Sequence, residues 1–331
     1  MPLFSVLLRS LGLRRIAAGM AALAVLAGFV PGPRGSAQAQ STMPVLRLGT
    51  TMSDDFTPVL YAVHAGLFKK AGIDVQVTVL ANGSAIAAAV AGGAIDIGKA
   101  SLVSLMNAHV HGVPIVLVAA GAMYNAKSPY AELVMPADAT FKTGKDLTGK
   151  TIAVPAIGDF NTLVTSMWVD QNGGDSKTLK FVEIPNTAQA PAVAEHRVDA
   201  AVLQQPDLAL ALETGKVKVL GLAYSAIGAN FMFAGWFSMN DWAAKNPALV
   251  KTFARVAAEA AVYTNAHHAE TASLLADASK MPLPTIEKMS RVDTATTLEP
   301  TIIQPIIDAS AKYKLIPHGF PAKELVFSES R

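Results

Sequence analysis

The 331-residue chain contains no cysteine. Disulfides, thiolate metal sites, a lipid-bearing cysteine and a cysteine nucleophile are thereby excluded. Stability must come from hydrophobic burial, and the roughly 290 residues beyond the first forty suffice for one or two cores. Charge is sparse, with 27 Lys and Arg against 25 Asp and Glu. Four of those bases, Arg9, Arg14, Arg15 and Arg34, fall in the first 39 positions, which hold no acid, leaving 23 bases against 25 acids in the remainder. No basic patch marks a nucleic-acid partner. After residue 40 no run reaches the roughly 20 apolar residues of a membrane-spanning helix. A Gly-rich phosphate loop, an HExxH motif and a nucleophile elbow are also missing, and neither a cofactor nor a metal is expected.

The first forty residues carry an export pattern. A basic start precedes an apolar stretch at 16–30, Pro31-Gly32-Pro33 breaks it, and Ala37-Gln38-Ala39 offers the small residues of a cleavage site. The stretch is too short to anchor the chain as a spanning helix. Residues 1–39 are therefore expected to be a cleaved signal peptide. Arg14-Arg15 lacks the flanking pattern of twin-arginine export, which favours ordinary secretion.

One phrase occurs twice. Ala91-Gly92-Gly93-Ala94-Ile95-Asp96-Ile97-Gly98 and Glu195-His196-Arg197-Val198-Asp199-Ala200-Ala201-Val202 each end an Ala-rich helix, turn, and open a strand on a β-branched residue and Asp. A unit repeated about a hundred residues apart predicts two similar α/β lobes with a groove between them. The flanking pattern agrees. Strands are expected at 45–49, 73–80, 113–119, 132–135, 151–154, 179–184, 217–222 and 235–239. Helices are expected after Thr57-Pro58 (N-cap and first position, with Gly66 closing), after Asn82, over 101–110, opening in 158–161 and running to about 171, over 188–196, from Pro206 as first residue, and from Pro247 to about 278 with a break. Short connections between strand and helix indicate a mostly parallel sheet flanked by helices in each lobe. Lobe one is expected to be discontinuous, 44–131 plus 236–331, with lobe two at 132–235 and two chain crossings as the hinge.

Together these landmarks resemble the substrate-binding proteins of bacterial ABC importers, in the group handling nitrate, sulfonates, taurine and thiamine-pyrimidine precursors. The resemblance rests on Leu67-Phe68-Lys69-Lys70-Ala71-Gly72-Ile73-Asp74-Val75, on Gly93 to Gly98, on Lys145-Asp146-Leu147-Thr148-Gly149-Lys150-Thr151-Ile152-Ala153-Val154, and on Arg197 to Val202. It implies a type II periplasmic-binding-protein fold, a monomeric receptor that closes on a small solute, and a membrane-embedded ABC permease as partner. No chemistry on the ligand is implied. Relatives of the same fold that synthesise a pyrimidine resemble a Cys-rich motif absent from this chain. A sensor of periplasmic ligands remains a third alternative.

In open α/β sheets ligands bind beyond the carboxyl ends of strands, where helix N-termini gather. Four loops qualify. Ser53, Asp54, Asp55 and Phe56 follow the first strand, the acids either contacting a ligand or capping, the ring either covering a ligand or filling the core. Asn82, Gly83 and Ser84 combine capping residues with a glycine that lets a ligand approach the backbone. Lys99 and Ser101 follow the first copy of the phrase, Lys99 pairing either with an anionic ligand or with an acid such as Asp96. Gly158, Asp159, Phe160 and Asn161 form the matching loop of lobe two, and Gln204 and Gln205 follow the second copy with amides that donate and accept. Tyr124 and Trp236 lie near the expected hinge, as core or as ligand platform. His109 and His111 lack a third metal ligand, and His267 and His268 diverge on a helix. Acids in both facing loops favour a zwitterionic solute, or one with an anionic and a donor-rich end, over a bare anion.

Overall fold

The computed structural model of the protein describes residues 43–328. The expected signal peptide lies outside the described residues. In chain order the strands are β1 (Val45–Thr50), β2 (Asp74–Val79), β3 (Ile97–Ser101), β4 (Ile115–Ala119), β5 (Ala122–Asn125), β6 (Ala131–Pro136), β7 (Thr151–Val154), β8 (Lys180–Glu183), β9 (Ala200–Gln204), β10 (Val217–Gly221), β11 (Asn230–Met232), β12 (Ala234–Met239) and β13 (Asp293–Thr294). Two sheets have five strands each, in the orders β2-β1-β3-β12-β4 and β8-β7-β9-β6-β10.

Written in that direction, the two sheets are the same diagram. In each, the first three strands are parallel and the last two pairings antiparallel. As the sequence predicts, each sheet is mostly parallel, with four strands in one direction and a single strand against them. That strand is the fourth: β12 and β6 each arrive from the other half of the chain and run against their neighbours.

The repeated phrase has a physical explanation. Gly93 and His196, each three residues before the repeated Asp, adopt left-handed φ values of 71° and 56° and so end their helices. The N–H of the next residue then reaches back to a helix carbonyl, Ala94 to Ala89 at 3.0 Å and Arg197 to Ala192 at 2.9 Å. Asp96 Oδ2 accepts the N–H of Arg47 at 2.8 Å, and Asp199 Oδ2 accepts that of Thr151 at 2.8 Å. Each carboxylate thus satisfies a backbone donor at the mouth of the neighbouring parallel strand. A basic side chain sits on each as well, Arg47 Nη2 at 2.5 Å from Asp96 and Lys150 Nζ at 3.4 Å from Asp199.

The segments running between the sheets are themselves paired. β5 leads from the first sheet toward β6, β11 leads back toward β12, and β13 from the C-terminal part joins them in a three-stranded sheet of order β11-β5-β13. Sequence reasoning missed these short strands.

Helices cover both large sheets. The helix Pro247–Ala266 buries Val250, Phe253, Val256, Ala257, Ala260, Ala261 and Thr264, a stripe at helical spacing. This face packs with Leu46, Leu48, Ile97, Val118 and Trp236 in one core. The helix breaks at His267 and resumes as His268–Ser279. In the other half, residues 160–169 of the helix Phe160–Gln171 are buried throughout. Two helix starts differ from expectation by one residue. Thr57 is the first helical residue and not the cap, because a 3-10 turn, Asp54–Phe56, precedes it, and Pro206 is the cap of Asp207–Glu213. Among the described residues no helix is long and apolar enough to cross a membrane.

Candidate binding cleft

Between the carboxyl ends of the parallel strands of the two sheets lies a cleft. Four helices begin at its wall. Asn82 caps Gly83–Ala91 by accepting from Ala85 N at 2.9 Å, Ser101 caps Leu102–Val110 through Ser104 N at 3.3 Å, and Asp159 caps Phe160–Gln171 through Thr162 N at 3.0 Å. The fourth, Asn186–Ala194, begins at Asn186 without a side-chain cap. None of the four has an acid in its first turn. The positive ends of their dipoles are therefore uncompensated apart from the Asp159 cap, and backbone N–H groups remain available to an anionic group.

The wall from the first sheet carries a buried cation. Lys99, on β3, is 2% exposed and its Nζ is in ion-pair contact with Asp55 Oδ1. Apart from that contact, Nζ meets no hydrogen-bond acceptor. Burial pulls the Lys99 pKa down and the neighbouring Asp55 raises it again. Asp55 Oδ1 also accepts from Ser53 Oγ, which lies 3.2 Å from Thr51 Oγ1. Asp96 is not the partner of Lys99. The two are an odd number of positions apart along an extended chain and so face opposite sides, and Asp96 is held by Arg47 and takes Ser238 Oγ on its carbonyl at 2.6 Å.

The wall from the second sheet is a polar network on an aromatic base. Tyr224 OH donates to Asn161 Oδ1 at 3.3 Å and accepts from Gln204 Nε2 at 2.9 Å, while Tyr130 OH donates to Gln204 Oε1 at 3.4 Å. Burial drives the Tyr224 phenol pKa far up, so it stays neutral. Phe160 meets Tyr224 edge-on at 4.7 Å and stacks on Phe233 at 5.9 Å between ring centroids. Asp159 borders the cleft, where burial pushes its carboxyl up to about 7 against the opposing pull of its capping hydrogen bonds. The void between the walls is about 80 Å³, several times the room one ordered water needs.

Of the residues picked out by sequence, Ser53, Asp55, Asn82, Gly83, Ser84, Lys99, Ser101, Asp159, Phe160, Asn161 and Gln204 line this void together. The others do not. Asp54 turns away, taking Arg291 Nε at 2.8 Å on Oδ1 and Val292 N at 2.7 Å on Oδ2, so its charge is satisfied away from the cleft. Phe56, 2% exposed, fills the core beneath β1. Tyr124 is buried, with its hydroxyl 2.6 Å from Ser225 Oγ, and Trp236 packs edge-on against Phe253 at 5.3 Å. Gln205 accepts from Ala209 N at 3.1 Å, capping the following helix. Gly158 lines an adjoining recess, where its carbonyl accepts from Asn107 Nδ2 at 3.3 Å.

Sequence reasoning missed Thr51, Ser104, Asn186, Tyr224 and Phe233, which also line the void. The repeat could have found Asn186, because it follows β8 as Asn82 follows β2. Tyr224 and Phe233 flank the returning strand β11 and carry no comparable signal. His109 lies tilted against Phe320 at 4.7 Å between ring centroids, His111 Nδ1 is 2.7 Å from the carbonyl of Asn107, and His267 stacks on Tyr263 at 4.1 Å. Among the described residues no group of three or more His, Asp or Glu is arranged to hold a metal ion.

Two mixed sheets of matching topology, flanked by helices and facing each other across a cleft, define a periplasmic-binding-protein fold. Solved structures agree in fold. The chain superposes on the aliphatic sulphonate binding protein SsuA of Escherichia coli with a TM-score of 0.69 at 19% identity, covering 86% of this chain and 92% of that one. The alkanesulfonate-binding SsuA of Xanthomonas axonopodis pv. citri, solved bound to MOPS, gives 0.71 at 18% identity, covering 85% and 97%. The nitrate-binding protein NrtA of Synechocystis PCC 6803 gives 0.74 at 15% identity, covering 87% and 86%. No curated protein sequence matches the chain. Residues 53–271 match the NMT1/THI5-like family, and the chain belongs to that family.

Proposed function

We propose that this protein is an exported solute receptor that closes on a small polar organic anion or zwitterion and delivers it to an ABC permease. The observation that carries the reading is the cleft itself, where four helix N-termini free of first-turn acids meet the buried Lys99. Partial positive charges and a desolvated ammonium favour a sulfonate, carboxylate or similar oxyanion. The rings of Phe160 and Phe233 and the amides of Asn161 and Gln204 suit an organic remainder with donors, such as a taurine-like chain or an amino-pyrimidine. Family membership and the sulfonate and nitrate receptors of the same fold support the transport role. The sequence pattern at 1–39 supports export to the periplasm.

In this reading lobe one is 44–131 plus 236–331, lobe two is 132–235, and the paired crossings β5 and β11 are the hinge. The receptor acts as a monomer and leaves its ligand unchanged. The test is a thermal-shift screen of ligand-stripped protein with alkanesulfonates, taurine, nitrate, carboxylates and pyrimidines. A true ligand at 100 times its Kd should add about 2.7 kcal/mol of stability by mass action. If no member of those classes raises the melting temperature, the reading fails.

A further inference from the structure

Asp159 occupies an unusual position in the cleft. It lines the inner void and also the adjoining recess of about 420 Å³ that runs outward past Gly158 and Asn107. A ligand seated in the void lies beside its carboxyl. The two oxygens of that carboxyl are not equivalent. Oδ1 is engaged by the helix it caps, accepting from Thr162 N at 3.0 Å and from Thr162 Oγ1 at 3.3 Å. No side chain donates to Oδ2, and the one further donor near the carboxyl is the backbone N–H of Asn161. The carboxyl's exposure is to the cleft, so a bound ligand removes what hydration it has.

The N-terminus of its own helix favours the ionised form, burial opposes it more strongly, and the charged side chains nearby do little to help the helix. Glu183, at the end of β8, accepts from Ile157 N at 2.9 Å and repels a negative charge on Asp159. Across the cleft Lys99 is already in contact with Asp55, which offsets part of its pull on a negative charge at Asp159. His111 borders the outer recess, and the nearest phenol, Tyr224, is neutral. An ionised Asp159 would oppose the anion that the helix N-termini and Lys99 attract. A protonated one would instead donate a hydrogen bond to it.

We infer that Asp159 is the specificity-determining residue of this cleft, capping its helix with Oδ1 and presenting a proton-bearing Oδ2 to the anionic group of the ligand. It rests on the receptor reading above and narrows it: the ligand's head is an oxyanion, not an ammonium. Binding such an anion above neutral pH requires uptake of one proton from solvent onto Asp159. The acid thereby selects against solutes whose only charged group is positive. It admits a zwitterion only with its anionic end inward.

The test is isothermal titration calorimetry of the full mature protein with ethanesulfonate, whose charge is constant between pH 5 and 9, alongside nitrate as a second anionic probe. Wild-type affinity should be flat on the acid side and fall about tenfold per pH unit above roughly 7. At pH 8, runs in two buffers of different ionisation heat should show close to one proton taken up per site. Asp159→Asn keeps an acceptor for Thr162 N and supplies a permanent donor, so its affinity should lose the pH dependence and above pH 7 exceed that of wild type. Asp159→Ser, a smaller cap, should also be pH-independent but weaker. A flat wild-type profile, or loss of binding at pH 6 by a folded Asp159→Asn protein, overturns the inference while leaving the receptor reading intact. Failure of both probes to bind wild type at pH 6 overturns this inference, while the receptor reading still stands or falls by the wider thermal-shift screen. Independently of any ligand, carboxyl carbon NMR of the apo protein should show Asp159 titrating near neutrality, and titration below pH 5 overturns the inference.

Discussion

Arg291 and Asp54 are 237 positions apart and meet in a buried ion pair, Nε to Oδ1 at 2.8 Å. The same carboxylate accepts from Thr57 Oγ1 at 3.0 Å, and Arg291 Nη1 donates to the carbonyl of His268 at 2.9 Å. The backbone N–H of Asp54 donates in turn to Gln205 O, at 3.3 Å, in the other half of the molecule. The pair therefore fixes the loop that carries Ser53 and Asp55 into the cleft. Asp54→Ala leaves a guanidinium buried without its partner and should destabilise the fold by about 3–5 kcal/mol. Urea denaturation of Asp54→Ala, Arg291→Met and the double variant measures this, and a double variant no better than the worse single one would contradict it.

Lys99 and Asp55 call for a different comparison, because one of them is also proposed to meet the ligand. Lys99→Met strands the Asp55 carboxylate and should lose both stability and anion affinity. Adding Asp55→Asn removes the stranded charge. The double variant should recover most of the stability, within about 1 kcal/mol of wild type, and still bind ethanesulfonate at least tenfold more weakly. Recovery of binding in the double variant would show that Lys99 serves the fold alone.

Stability should depend on pH through Asp159 in a direction opposite to that of a salt-bridged acid. Its folded-state pKa, about 7, lies above the value near 4 expected in the unfolded chain. Between those values the folded protein binds the extra proton, so this group's contribution falls as pH rises from about 4 to about 7 and is fully lost above. Discounted for water in the cleft, the change is on the order of 2 kcal/mol. Asp159→Asn should therefore gain on wild type as pH rises from 5 to 8, as read by denaturant midpoints at several pH values.

Tyr224→Phe removes one hydroxyl and leaves Asn161 Oδ1 and Gln204 Nε2 each short of a partner. A cost of about 1–3 kcal/mol is expected, together with weaker binding of any ligand that uses either amide. Phe retains the edge-on contact with Phe160, so the aromatic packing should persist and the near-ultraviolet circular dichroism should change little.

What could be read from sequence was local. Caps at Asn82 and Ser101 are legible because the residue, its spacing to the next helix and the preceding strand lie together in the chain. The repeated Asp is legible for the same reason, although its role in accepting a backbone N–H of the neighbouring parallel strand is clear only from the structure. What could not be read depends on distant partners. Nothing near Asp54 announces Arg291, so an acid in a favoured loop looked like a ligand contact. Phe56 and Trp236 are apolar residues at positions where core and cleft have the same local pattern, and only the packing of Phe253 and Leu48 decides between them. Tyr224 and Phe233 reach the cleft because the chain returns beside β5, a long-range event with no short-range signal.

The position of β12 bears on how the chain comes together during synthesis. It lies between β3 and β4, both made more than a hundred residues earlier, and supplies backbone partners to each. Until residues 234–239 exist, β4 has no neighbour in that sheet and the first sheet has a gap beside β3. The other sheet closes sooner, since β6 to β10 are all complete by Gly221. The later part of the sequence should thus be the earlier to acquire protection from hydrogen exchange, because pairing across a long loop is slow. The half built around β1 to β4 is then the last to be finished.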